Sequence, residues 1–321
     1  MGTSNNNTKR QHTIPQFYLK NFCIPDKNKR ITDAIWVFHR QRKPFRANLI
    51  NVAVQKEFYT VKDKEDRPNR DLETILARIE SGAFNVIKKI LRNPVRLSNQ
   101  EKTDLAYFLL YLFLRTPDMR ENINVFIKDV IKKATLMVAS DKTLFENTIK
   151  KAKIDVGNKP GEVENLRQFA LSKKYNISVN NIPHLRAMVT LGQDMSLVNK
   201  IARMNFSYLA TLDEHPFITS DNPFVLFNPK LQNSPYGYGI AQKDIEITIP
   251  LCPSICLMLT WYKKPSVIPL PPENVKIFNN RTLMWANECI YSSTDSEFIK
   301  DNIKPYFNIS ENFVDTTPNS K

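Results

Sequence analysis

The sequence predicts an α+β protein in which a helical bundle around a buried central helix packs on a mainly antiparallel β-sheet. Three observations predict this class. Residues 98–117 contain an apolar run with no polar side, residues 71–90 form a long amphipathic pattern, and the chain changes to short β-prone runs after residue 204. The first two patterns are typical of helices, and the third is typical of antiparallel strands separated by turns.

The central helix is expected to begin after Ser98. Ser98 and Glu101 have the spacing of a capping box, in which each side chain satisfies a main-chain N–H of the first turn. Residues 106–114 are then all apolar or aromatic, so other elements must surround the helix. The run is far shorter than the ~20 residues that cross a bilayer, and we expect no membrane partner. Arg115 ends the run, so that a charge leaves a buried helix among aromatic rings.

The N-terminal region is expected to contain a tail, a short helix and a hairpin. Residues 1–11 are polar and basic, as is typical of a disordered tail. Pro15 suits the first position of a short helix. Residues 31–40 and 44–50 have strand-like composition, and we expect them to pair across the turn at 41–43.

We expect one domain over residues 12–307, because the apolar helix needs both helical and β elements to cover it. The helical part spans about residues 70–203, and the β-rich part about 204–292 together with N-terminal strands within 31–60. Residues 308–321 are predicted to be a flexible tail.

Composition excludes several classes of site. The chain has only 7 glycines in 321 residues, and none forms GxGxxG or GxxxxGK[ST], so we expect no nucleotide or dinucleotide cofactor. The 4 cysteines lack disulfide or zinc spacing and the N-terminus lacks a signal segment, which predicts a cytoplasmic location. The net charge of +14 suits a polyanion such as RNA or DNA, although this Lys- and Asn-rich composition is also typical of AT-rich genomes.

His12 is the first candidate for chemistry. It precedes the short helix that Pro15 is expected to begin, where the positive end of the helix dipole disfavours an imidazolium. A neutral imidazole can act as a base or bind a metal ion. Gln16 is a candidate binding residue beside it. The alternative is that His12 only caps the helix or packs in the core.

Glu73 and Glu80 are the next candidates, because both lie at the edge of the apolar stripe of the helix at 71–90. Carboxylates at such an edge can face a cleft or pair with Arg115. Two of them on one helical face can also hold a divalent ion, as in helical bundles. Solvated or salt-bridged glutamates are the simpler alternative.

The turn Ser220-Asp221-Asn222-Pro223 is the third candidate. It lies between two β-prone runs, a common place for a functional carboxylate. We expect Asp221 to act in catalysis or metal binding, with Ser220 and Asn222 as binding residues. The alternative is an Asx-turn with no chemical role. Ser220 lacks a GxSxG context, so a serine hydrolase is not expected.

The segment HTIPQFYLKNF at residues 12–22 resembles the opening signature His-x-x-Pro-x-x-Tyr-Leu-x-x-Phe of a mainly bacterial family, the domain of unknown function 4238. Other pieces are similar to the same family: Glu57-Phe-Tyr59, the helix at 71–90 with its two glutamates, Arg115-Thr-Pro117 and Thr219-Ser-Asp-Asn-Pro223. Together they extend the resemblance over most of residues 12–292. The resemblance implies membership of the family and its length class, and it supplies no reaction.

Two functions are compatible with these residues. In the first, five polar side chains converge in one cleft that hydrolyses nucleic-acid phosphodiesters: His12, Glu73, Glu80, Arg115 and Asp221. The three carboxylates hold Mg²⁺ or Mn²⁺, His12 orients or deprotonates water, and Arg115 stabilises phosphate charge. In the second, the same residues form a buried polar network within a non-catalytic regulatory module that binds nucleic acid or another ligand.

Overall fold

The computed structural model describes residues 10–28, 30–62, 68–69, 71–157, 161–212, 214–231 and 239–307. The tails predicted at 1–11 and 308–321 lie outside these residues, except that Arg10 and Gln11 belong to a strand. Contacts between Cα atoms divide the chain into two compact units, residues 1–118 with 187–321, and residues 119–186. The predicted limits of a single domain, 12–307, stay a prediction.

Ten helices occur in the described part of the chain. They are α1 (Gln16–Leu19), α2 (Asp71–Arg92), α3 (Asn99–Leu114), α4 (Pro117–Ser140), α5 (Lys142–Ala152), α6 (Glu162–Ser172), α7 (Ile182–Gln193), α8 (Met195–Arg203), α9 (Pro272–Trp285) and α10 (Glu297–Ile303).

The central helix is α3, as its sequence predicts. Ser98 Oγ accepts a hydrogen bond from the N–H of Glu101 at 3.3 Å, and the Glu101 carboxylate accepts one from the N–H of Ser98 at 2.7 Å. The predicted capping box is therefore present. Residues 108–112 and Leu114 are buried, and α3 packs against α2 and α8. The apolar stripe of α2, which includes Leu76, Ala83 and Ile87, supplies one side of this packing.

The strands within the described residues form small sheets. They are β1 (Arg10–His12), β2 (Ala34–His39), β3 (Arg42–Asn48), β4 (Val54–Lys56), β5 (Val61–Lys62), β6 (Pro68–Asn69), β7 (Asn205–Ala210), β8 (Thr219–Ser220), β9 (Val225–Phe227), β10 (Glu246–Cys252), β11 (Ile255–Thr260), β12 (Val267–Pro269) and β13 (Cys289–Ser292).

The C-terminal strands belong to two larger sheets and not to one. The order β12-β7-β11-β10-β9 gives a five-stranded sheet that is antiparallel except for β12 beside β7. The order β3-β2-β13-β8 gives an antiparallel four-stranded sheet, in which the predicted N-terminal hairpin of β2 and β3 joins C-terminal strands. The chain changes sheets between β8 and β9, where Asp221 ties β8 to the segment that enters β13. The α+β class is confirmed.

The second unit is helical and has a small core of its own. Ala139, Phe145, Ile149 and Ala170 are buried together. Asp141 caps α5 by accepting a hydrogen bond from the N–H of Leu144 at 2.9 Å. Within the described residues of either unit, no helix has the length and apolar character that crossing a bilayer requires.

Candidate functional site

The site is organised by the pairing of β1 with β4. Gln11 lies opposite Gln55, and His12 lies opposite Val54. Ala53, which precedes β4, has a φ of 51°, and its carbonyl oxygen accepts hydrogen bonds from the N–H and the hydroxyl of Thr13 at 2.8 and 3.1 Å. This pairing fixes the main chain of His12 at the edge of the first unit's core.

His12 has a defined tautomer. Its Nδ1 lies 3.0 Å from the carbonyl oxygen of Val52, which can only accept, so Nδ1 carries the hydrogen. In the neutral ring Nε2 then bears the lone pair, and the amide nitrogen of Gln16 lies 2.5 Å from it. The imidazole therefore presents its basic nitrogen on the side of Gln16.

The pKa of His12 is lowered from its ordinary 6.5, first by burial and then by the positive charges of Arg115 and Arg10. The hydrogen bond to Val52 and the charge of Glu80 oppose this shift without reversing it. The expected cause was the dipole of a helix, but α1 has only four residues. Burial and two arginines therefore favour the neutral form of this ring.

Arg115 lies at the end of α3 and is 4% exposed. Its Nη1 donates to Glu80 Oε1 at 2.6 Å, its Nε donates to the Tyr59 hydroxyl at 3.0 Å, and its Nη2 donates to the main-chain oxygen of His12 at 2.8 Å. A buried guanidinium requires such partners, because an unpaired charge in the interior is costly. Each nitrogen of the guanidinium therefore already has a protein acceptor. This arrangement favours a role for Arg115 in positioning Glu80 and His12 over direct contact with a phosphate.

Gln11 and Tyr59 complete the network, and sequence reasoning missed both. The Gln11 amide nitrogen donates to Glu73 Oε1 and, at 3.1 Å, to the Thr60 hydroxyl, while its oxygen accepts from the N–H of Tyr59 at 2.6 Å. The Tyr59 hydroxyl donates to the main-chain oxygen of His12 at 3.3 Å. These partners are distant in sequence, so no local pattern indicates the contacts.

These side chains surround an open cleft of about 440 Å³. Five of the predicted site residues line it together: His12, Gln16, Glu73, Glu80 and Arg115. Gln16 is exposed, and 27% of the Glu80 side chain is accessible. Five of the residues predicted for a hydrolase site therefore share one open cleft, which the predicted turn at residues 220–223 does not line.

Asp221 does not line this cleft. Its Oδ1 accepts from the N–H of Asn287 at 2.9 Å, and its Oδ2 accepts from the N–H groups of Glu288 and Cys289 at 2.7 and 3.0 Å. Burial raises its pKa to about 6, and the three N–H donors oppose that rise. The expected convergence of Asp221 with His12 and Glu80 is not observed, because both of its oxygens are used to join β8 to the segment before β13.

Ser220 and Asn222 also lie away from the cleft. Ser220 Oγ accepts from the N–H of Asn222 at 3.1 Å, and the Asn222 amide donates to Asp118 Oδ2 at 3.1 Å. Both residues are buried. The turn is therefore closed by a serine hydroxyl and is not the Asx-turn of the alternative interpretation, because Asp221 accepts from main-chain groups of residues 287–289.

The described residues contain no group of three His, Cys, Asp or Glu side chains placed to hold a metal ion. The predicted set of Glu73, Glu80 and Asp221 is therefore not assembled in them. Glu73 and Glu80 are two helical turns apart, about 10 Å along the axis of α2. Any divalent ion here must take much of its coordination from water or substrate.

The fold and the cleft define an α+β protein with a polar cleft built by β1, α2 and the end of α3. The sequence matches the family described as "Protein of unknown function (DUF4238)" over residues 10–296, and the chain belongs to this family. The matched region includes every residue that lines the cleft. No curated protein and no solved structure matches the chain.

Proposed function

We propose that the chain is a nucleic-acid phosphodiester hydrolase whose active site is the cleft at His12. One observation carries this proposal. The cleft is open and contains an imidazole of fixed tautomer and lowered pKa, whose basic nitrogen faces the exposed Gln16 amide, with a partly accessible Glu80 nearby. A base with a pKa near or below 7 in an accessible site is what water activation requires.

In this mechanism His12 Nε2 accepts a proton from water as the water oxygen attacks phosphorus. The Nδ1–H bond to Val52 holds the ring and stabilises its positive charge as the proton arrives. The bond between phosphorus and the leaving oxygen breaks, and its electron pair stays on that oxygen. Gln16 is exposed, so its amide can leave Nε2 when water enters.

We propose Mg²⁺ or Mn²⁺ as the cofactor, held by Glu73 and Glu80 together with phosphate oxygens. Mg²⁺ is commonly bound by one or two carboxylates plus substrate phosphates and water, so three protein ligands are not required. Oε1 of Glu73 accepts from Gln11 and Oε1 of Glu80 accepts from Arg115, which orients both carboxylates. When bound, the ion would supply charge stabilisation at the phosphate.

The proposed substrate is RNA or DNA, and the proposed location is the cytoplasm. The net charge of +14 favours a polyanion, since Lys and Arg contacts release its counterions. All 4 cysteines are free thiols, as is usual in a reducing compartment.

A second candidate is a non-catalytic regulatory module that binds nucleic acid or another ligand. It is favoured by the saturation of Arg115, in which each of three nitrogens already has a protein acceptor. In this candidate function, the network around Arg115 has a structural role and ties β1 to α2 and α3.

A cleavage assay with Mg²⁺ or Mn²⁺ on labelled RNA and DNA distinguishes the two. We expect cleavage by the wild type and a loss of at least about 100-fold in Glu80→Gln and His12→Ala. Glu80→Gln keeps an oxygen that can accept from Arg115, so the fold should persist. Glu121→Gln on α4, where the Glu121 side chain is 63% accessible, is the matched control. Equal inactivity of all four proteins would reject catalysis and leave the module.

A further inference from the structure

Helix α2 and the turn after it change charge along their length. Residues 71–80 contain three acidic residues and one basic residue, whereas residues 81–96 contain four basic residues and no acidic residue. The acidic half carries Glu73 and Glu80 into the cleft. The basic half matches the negative end of the helix dipole, but its lysines and arginines also line a surface depression.

Two depressions continue from the cleft along α2. The first, of about 280 Å³, shares Phe17 with the cleft. The second, of about 390 Å³, shares Lys88 and Arg92 with the first. Among the residues that the structure describes, no acidic side chain lines either depression. We call the two depressions together the α2 groove, and its basic end lies about 18 Å along the helix from Glu80.

Phe84 is the more exposed of the two aromatic residues that line this groove, and it is 44% exposed. Its ring meets the ring of Phe17 edge-on, with centroids 5.8 Å apart, and Phe17 in turn packs against Phe108 at 5.3 Å. Lys88 Nζ lies 5.6 Å from the centroid of Phe84. An exposed, anchored ring beside a cation is the combination on which proteins stack a base and hold its phosphate.

We propose that the α2 groove binds single-stranded nucleic acid, with a base stacked on Phe84 and phosphates held by Lys88 and Arg92. A single strand is required because the faces of the bases are not accessible within a duplex. The groove leads to the cleft, so this inference names the substrate class of the proposed hydrolase and rests on that function for its purpose. The binding itself does not depend on turnover.

Fluorescence anisotropy tests the proposal with labelled oligouridine and oligothymidine of about 12 nucleotides, each compared with a duplex of equal length. We expect single strands to bind more tightly than duplexes. Phe84→Leu keeps apolar volume but loses the ring, and should weaken binding about 5- to 100-fold, while Phe84→Tyr should bind as the wild type does. Lys88→Glu and Arg92→Glu should each weaken binding and reduce its salt dependence.

Two variants elsewhere on the surface are matched controls. Phe126 on α4 is 65% exposed, so Phe126→Leu makes the same change outside the groove. Lys276 on α9 lies 5.3 Å from the ring of Phe298, so Lys276→Glu repeats the charge reversal of a lysine beside a phenylalanine. Both should bind as the wild type does. Thermal unfolding of every variant verifies that the fold is intact.

The outcomes separate this inference from the hydrolase. Binding that needs Phe84 and Lys88, without any cleavage, would support the groove and reject the hydrolase. Cleavage with unchanged affinity in Phe84→Leu and Lys88→Glu would reject the groove and retain the hydrolase. Duplexes that bind as tightly as single strands would overturn the inference, as would an equal loss of affinity in the control variants. The two oligonucleotides decide between RNA and DNA as the ligand.

Discussion

The guanidinium of Arg115 donates a hydrogen bond to the main-chain oxygen of His12 at 2.8 Å, joining the end of the central helix to the first strand. The same guanidinium holds Glu80 at 2.6 Å. One buried arginine therefore sets the distance between the proposed base and a proposed carboxylate. The proposed catalytic residues of the cleft are thus positioned by the core of the first unit.

Replacing Arg115 should cost more stability than its charge alone suggests. Arg115→Met leaves the Glu80 carboxylate without the guanidinium and the His12 carbonyl oxygen with only the bond from the Tyr59 hydroxyl at 3.3 Å, and breaking a buried pair in this way costs about 3–5 kcal/mol. Urea unfolding measures the change. Arg78→Met on the exposed side of α2 is the matched control and should change stability by less than about 0.5 kcal/mol. A similar small effect in both variants would contradict the role of Arg115.

Activity should depend on pH through His12. Because the folded pKa of His12 lies below its ordinary 6.5, the rate should fall at a lower pH than it would with an unshifted imidazole. The same shift contributes stability that is present above pH 6.5 and is lost as the pH falls through the folded pKa. NMR titration of the imidazoles, with the His12 signal assigned by His12→Gln, measures this pKa directly.

Arg10→Gln should raise the pKa of His12, since the charge of Arg10 is one cause of its lowering. Lys56→Gln, at the position opposite Arg10 in β4, is the control, because its charge is not among those causes. A His12 pKa above 6.5 in the wild type would refute the proposed electrostatics of the cleft.

Asp221 should matter for stability and not for chemistry. Asp221→Asn replaces an acceptor oxygen by an amide that faces main-chain N–H groups, and we expect a loss of about 2–4 kcal/mol. The activity per folded molecule should be unchanged, because Asp221 does not line the cleft. Asp129→Asn on α4, where the Asp129 side chain is 54% accessible, is the control. A selective loss of cleavage with normal stability would restore Asp221 to the active site.

Gly192 of α7 should tolerate no side chain. A Cβ at this position would lie 2.0 Å from the hydroxyl oxygen of Tyr111 and 2.3 Å from its Cζ, and Tyr111 is buried in the central helix. Gly192→Ala should therefore destabilise the fold by about 1–3 kcal/mol despite the better helix propensity of alanine.

The matched control is Gly82→Ala in α2, where the nearest atom to the new Cβ is 3.8 Å away. It should stabilise the protein by about 0.5–1 kcal/mol, the usual gain for alanine over glycine in a helix. Thermal or urea unfolding compares the two. Equal effects at both positions would contradict the close approach to Tyr111.

Local sequence patterns predicted helices α2 and α3 well, because contacts between residues close in sequence form them. The capping box at Ser98 and Glu101 and the apolar residues after it define α3 without tertiary information. The period of Leu76, Ala83 and Ile87 likewise defines the buried face of α2. These signals lie within one or two helical turns, which is the range over which sequence patterns are informative.

The candidate site was predicted only in part, because sequence patterns show which side chains need a partner but not which distant groups they will meet. Glu80 and Arg115 were candidates because a boundary carboxylate and a buried charge each demand a partner, and the structure pairs them. Gln11 was assigned to a tail because nothing near it in sequence indicates β1. Asp221 was assigned to chemistry because a carboxylate in a turn does not show from sequence which main-chain groups it will meet.

The sequence by itself determined the α+β class, the central helix, the long amphipathic helix and the hairpin. Hydrogen bonds between residues a few positions apart, together with the spacing of apolar residues, specify these elements. Only the tertiary structure decided that β1 pairs with β4, that Arg115 meets His12, and that Asp221 binds main-chain N–H groups instead of facing the cleft. Those contacts join residues more than 40 positions apart. Their existence depends on how whole elements pack, which no short window of sequence encodes.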